Sequence, residues 1–139
     1  MAWWGWALVS AVSAALVSIL AKLGMKGIPS NLATAIRTIV ILVFAWALVW
    51  YRGETAHLSQ INRKGLVFLI LSGLATGISW LAYFRALQLG PASRVAPIDK
   101  LSLVFTALLA LAFLGESFTP RYGLGLVLVM VGVLLTTFG

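Results

Sequence analysis

The sequence predicts an all-α integral membrane protein of five transmembrane helices, and three observations carry that prediction. The 139-residue chain is 62% hydrophobic and only 9% charged, with a mean hydropathy of +1.07, whereas a soluble domain carries about 25% charged residues. Its apolar residues fall into five runs, each near the ~20 residues that cross ~30 Å of hydrocarbon as a helix. Short clusters of glycine, proline and polar residues separate the runs and leave no stretch long enough for a soluble domain. Residues 1–139 are therefore expected to form one membrane domain. Cysteine is absent, which excludes disulfides, iron–sulfur clusters and thiolate metal sites. The net charge of +7 comes from basic residues scattered at span ends, so membrane-boundary charge is expected and nucleic acid is not.

The first span is expected over 3–23. It has no basic leader and no small-residue cleavage site before a polar sequence, so it reads as a retained helix rather than a signal peptide. Trp3, Trp4 and Trp6 fit an interfacial aromatic belt. Ser10, Ala14, Ser18 and Lys22 recur at intervals of four, a small and weakly polar face suited to close packing in lipid. Lys22 either snorkels to the interface or lines a solute path. Gly27 and Pro29 then stop the helix, and Ser30 or Asn31 can cap the next.

The second span, 32–50, holds Arg37 beside Thr34 and Thr38. Its guanidinium either snorkels back or faces a cavity or an acidic partner, for which Asp99 is the intramembrane carboxylate available. The loop over 51–64 contains the single histidine, His57, near Glu54 and Arg52. These are too few ligands for a metal, and Arg63-Lys64 reads as a topology signal. The third span, 65–89, carries Gly73 and Gly77 in a GxxxG pattern that allows close helix approach. Ser72, Thr76, Ser79 and Tyr83 form a polar row with Trp80 alongside, and Arg85 continues the glycine row.

The fourth span, 94–115, is where ionisable residues sit inside an apolar run. Such groups cost ~2.5–3.5 kcal/mol on insertion scales, so they mark pathways or partners. Pro97 falls early enough to do little harm to the backbone ladder. Asp99, Ser102 and Thr106 share a face, and Lys100 is turned about 100° from Asp99, so the two charges need not pair. Gly115-Glu116 ends the span in a turn. Thr119 can cap the fifth span, 121–138, with Pro120 at its first position, and Gly125 and Gly132 make it a packing helix.

Two segments, ALQLGPASRVAPIDKLS (86–102) and FLGESFTPRYGLGLVLVMVGVLL (113–135), carry a resemblance to the EamA domain of the drug/metabolite transporter superfamily. The Gly-Glu at a span end, the turn, the glycine-containing helix and the Gly-Val near its end resemble that family's pattern. The resemblance extends over essentially the whole chain, because five spans make one EamA unit. It implies secondary transport of small metabolites or drugs, and relatives handle amino acids, nucleotide sugars, metabolites and drugs. Larger relatives hold two inverted five-helix units in one chain, so a single unit implies an antiparallel homodimer. Basic residues divide almost evenly between the two sides: Arg52, Arg63, Lys64 and Arg121 against Lys22, Lys26 and Arg94, with Arg85 as a fourth. Dual insertion would require such a weak bias.

The candidate substrate and coupling residues are Asp99, Lys100, Arg37, Arg85, Tyr83, Trp80 and Ser102. Gly73, Gly77, Pro97, Gly115 and Glu116 are expected to serve turns and packing. A cationic excess around Asp99 would suit a carboxylate or phosphate on the solute, with Asp99 either a proton carrier or an ion-pair partner of Arg37. The alternative function is a non-transporting assembly or channel-like subunit. Small multidrug exporters carry a glutamate within the first of four spans, and this first span has no acid. A membrane enzyme is disfavoured because the acids are Glu54, Asp99 and Glu116, well separated, with no nucleophile–base motif. No cofactor is expected, and the expected location is the cell's inner membrane.

Overall fold

The computed structural model describes residues 2–139. It contains five helical stretches long and apolar enough to cross a membrane. They form six α-helices: α1 (Trp3–Gly24), α2 (Ser30–Tyr51), α3 (Arg63–Leu89), α4 (Ala92–Asp99), α5 (Ser102–Leu109) and α6 (Pro120–Phe138), with a 3₁₀ segment at Glu54–Gln60 between α2 and α3. Long backbone ladders are what lipid demands, since no water is there to satisfy an open N–H or C=O.

The fourth span is not one continuous α-helix. α4 begins two residues earlier than expected, which puts Pro97 in its second turn instead of its first. There the missing N–H leaves the Ser93 carbonyl without its usual donor. The backbone then tightens: Lys100 N–H donates to the Pro97 carbonyl at 2.9 Å and Leu101 to Ile98 at 3.0 Å. Leu103 to Lys100 and Val104 to Leu101 follow, each at 3.0 Å. These three-residue steps separate α4 from α5 at Lys100-Leu101. At its far end the span widens into a π turn, Ala110–Leu114. Gly115, at φ +67°, reverses the chain in the left-handed region, and the Glu116 N–H returns to the Ala110 carbonyl at 3.3 Å. Thr119 then caps α6 by accepting from the Tyr122 N–H at 3.3 Å, with Pro120 in the first turn, as the sequence predicts.

Packing divides the chain into two compact units, one holding the chain up to Ile19 with Leu89–Gly139, the other Leu20–Gln88. In the first, α6 packs on α4 and α5, and Ser18, Ala107, Ala110, Val133 and Thr137 are buried. In the second, Ala21, Met25, Ser30, Ala33, Thr34, Phe84 and Leu87 are buried. Most of these are small, which lets helices approach closely where dispersion rather than water exclusion holds them. The remaining apolar surface is largely open: Leu66, Phe68, Ile70, Leu74 and Ile78 of α3 are all exposed. In water such a surface would drive aggregation; in a bilayer it meets lipid or another chain.

Candidate functional site

In the unit Leu20–Gln88, Arg37 lies two turns into α2, about 10 Å along the helix from Ser30. Its guanidinium carbon stands 4.1 Å from the centre of the Phe84 ring. Phe84 is 2% exposed, and Tyr83 meets it edge to face, with ring centres 5.6 Å apart. The contact is a cation–π pair removed from water on the ring side. The Arg37 Nη1 atom is buried without a hydrogen-bond partner. Thr34 and Thr38 do not supply one, because each hydroxyl donates at 2.8 Å to the carbonyl one turn back. Of the alternatives for Arg37, the structure selects an inward one, on an aromatic partner.

One end of the same unit is tied together by polar groups. Lys22 Nζ donates to the Leu87 carbonyl in the last turn of α3, where a helix has orphan acceptors and favours a cation. Lys22 therefore caps α3 instead of snorkelling. Gln88 Nε2 donates to the Ile28 carbonyl at 3.0 Å, and Arg85 Nη1 donates to Gln88 Oε1 at 2.9 Å. On one side of Gln88 opens a cleft of about 570 Å³ lined by residues 27–31, Arg85 and Gln88. On the other, a cleft of about 280 Å³ is lined by Lys22, Leu23, Met25, Lys26, Gly27 and Gln88. Trp80 is half-buried higher in α3.

In the other unit, Asp99 closes α4, Lys100 occupies the break and Ser102 opens α5. Contrary to the expectation from their angular offset, the neighbouring charges do pair, with Lys100 Nζ 3.5 Å from Asp99 Oδ2. The tightened backbone at Lys100-Leu101 replaces regular helical winding, so the offset of an ideal helix does not apply. The pair is more than a third exposed on both sides and contributes little to stability. Among the described residues no three His, Asp or Glu side chains gather as a metal would need.

These observations describe a polytopic helical protein with ionisable groups at a helix break and at one span end. The model of a family described as EamA-like transporters matches residues 1–138. The chain belongs to the EamA-like transporter family. It is similar to a protein of Sinorhizobium sp. named as an uncharacterized transporter in the cobO 3′ region. The two are 50% identical over 133 residues, covering 96% of this chain and 94% of the relative. It is also similar to an uncharacterized protein of Methanocaldococcus jannaschii, 32% identical over 74 residues, covering 53% of this chain and 54% of that one. No solved structure matches.

As an EamA-like transporter, the protein divides its candidate residues between its two units: Arg37, Trp80, Tyr83 and Arg85 in one, Asp99, Lys100 and Ser102 in the other. Sequence reasoning missed Phe84 and Gln88. Gln88 carried a signal, standing three residues after Arg85 where helical side chains meet. Phe84 carried none, because its partner comes from a different helix. Gly73 and Gly77 have no atom within 4 Å of where a side chain would begin, so no group of the same chain fills that space.

Proposed function

We propose that this EamA-like transporter is a secondary carrier of small metabolites or drugs in the cell's inner membrane, working as an antiparallel homodimer with Asp99 as its coupling group. The observation that carries the reading is the break in the fourth span beside Asp99 and Lys100. Interrupted helices bearing ionisable groups are where transporters hold ions and solutes. A purely structural ion pair would join two elements, but this one links chain neighbours and fastens nothing distant. Arg37 and Arg85 supply cations for a carboxylate or phosphate on the solute, with Lys100, Ser102, Tyr83 and Trp80 as further contacts. A dimer is supported by the open apolar surface of α3 with its uncovered Gly73 and Gly77. The near-even division of basic residues between the two sides supports opposed orientations.

The test begins with a thermal-shift screen against amino acids, sugar phosphates, polyamines and cationic drugs, since a ligand raises stability with concentration. Uptake of the solute found is then followed in proteoliposomes under an imposed pH gradient. Asp99→Asn is expected to abolish gradient-driven uptake while the dimer still elutes normally. Unchanged uptake by this variant would refute coupling through Asp99.

A further inference from the structure

The polar end of the unit Leu20–Gln88 has a property that transport through the broken span does not use. The two clefts flanking Gln88 are lined by three cationic side chains, Arg85 on one side and Lys22 and Lys26 on the other, and by no acid. The single acid of this unit, Glu54, faces Arg52 at 3.9 Å within the loop that follows α2. The cationic charge at the clefts is thus unbalanced by the chain itself. Gln88 holds the arrangement in place, since its amide bridges the Ile28 carbonyl and the Arg85 guanidinium. Arg85 commits one nitrogen to that bridge and keeps other N–H donors for a ligand. The larger cleft also receives the start of α2, where Ser30 and Asn31 line it and no side chain caps the helix.

We infer that this end of the molecule is a binding site for a phosphate group, with Arg85 and Lys26 as its principal contacts. Phosphate suits the site better than a single carboxylate does. Its charge is larger and its acceptors point in several directions, which matches cations placed on both sides of a central amide. A cleft of about 570 Å³ lies in the range that holds a small organic ligand and exceeds what bare phosphate fills, so the group arrives as an ester. The connection between α1 and α2 lies where spans meet the headgroup region, so the ester is either a lipid headgroup or a soluble phosphate compound. The chemistry is shared; the source is for the experiment to decide.

The experiment measures thermal stability of the purified protein in detergent with inorganic phosphate, with glycerol phosphate, and with chloride at matched ionic strength. A parallel arm uses vesicles of phosphatidylcholine alone or mixed with phosphatidylglycerol. Each arm is run on the unaltered chain and on Arg85→Gln, Arg85→Lys and Lys26→Gln. A soluble-ester site gives a phosphate-specific shift; a headgroup site gives stabilisation by phosphatidylglycerol alone. In either case Arg85→Gln should weaken binding about tenfold, the loss of one charge-assisted contact, and Arg85→Lys should restore part of it. Lys26 makes no hydrogen bond that holds the hairpin, so Lys26→Gln repeats the test even where Arg85→Gln fails to fold. Stabilisation by neither form of phosphate, or equal stabilisation of unaltered chain and Lys26→Gln, overturns the assignment. Because binding is read without transport, this outcome is independent of whether Asp99 couples uptake.

Discussion

Replacing Phe84 by Leu removes the ring beneath the Arg37 guanidinium while keeping an apolar side chain of similar bulk. Two terms set the cost. The cation–π contact, 4.1 Å from the ring centre, contributes ~0.5–1 kcal/mol at exposed sites and ~2 kcal/mol when desolvated. Phe84 is 2% exposed, which places the pair toward the upper figure. Repacking after a nearly volume-conserving swap adds less than ~1.5 kcal/mol. Phe84→Leu is therefore expected to destabilise by about 2–3 kcal/mol. A double-mutant cycle with Arg37→Met separates the terms, because in the absence of the guanidinium only the repacking cost remains. Unfolding in mixed detergent micelles, followed by circular dichroism, should give a coupling of about 1–2 kcal/mol between the two positions. A coupling near zero would show that Arg37 spends its time elsewhere and that the ring contact holds nothing.

Three further outcomes follow from the backbone and from the uncovered face of α3. Pro97→Ala restores the N–H that the Ser93 carbonyl lacks and should gain up to ~3 kcal/mol of helix preference; slowed hydrogen exchange at amides 100–104 would register it, and unchanged exchange would mean that Pro97 is not what breaks the span. Gly115→Ala forces a side chain to φ +67°, costing about 1–2 kcal/mol; space is open there, so an unchanged melting temperature would remove backbone strain as the reason for glycine. Gly77→Leu meets no atom of its own chain, so monomer helicity should hold while crosslinked dimer falls several-fold; a full dimer yield would exclude that face from the interface.

The physical reach of each interaction separates what was legible in the sequence from what was not. The five spans were, because crossing hydrocarbon depends on length and apolar content, both properties of a contiguous run. Their observed limits lie within about two residues of the expected ones. The Thr119 cap and the Gly115 reversal were legible too, since each depends on groups a few residues apart. The broken fourth span was half legible: Pro97 was visible, but its effect depended on whether the helix began at Ala92 or two residues later. The pairing of Asp99 with Lys100 followed from that break, so it escaped a reading based on ideal helical angles.

The candidate site was legible as a set of residues but not as an arrangement. That Arg37 and Asp99 were unusual followed from the cost of charge in lipid, which needs no coordinates to state. That Arg37 rests on Phe84 did not, because the ring belongs to a different helix and many apolar residues could have stood there. Lys22 reaches a carbonyl 65 residues away and Gln88 one 60 residues away; only the way the hairpin meets the end of α3 brings them within hydrogen-bond range. By itself the sequence determined how many times this chain crosses the membrane and which charges it carries there, because hydrocarbon acts on each run separately. The tertiary structure alone decided what those charges touch, because hydrogen bonds and ring contacts act over a few ångströms between segments that the chain order keeps apart.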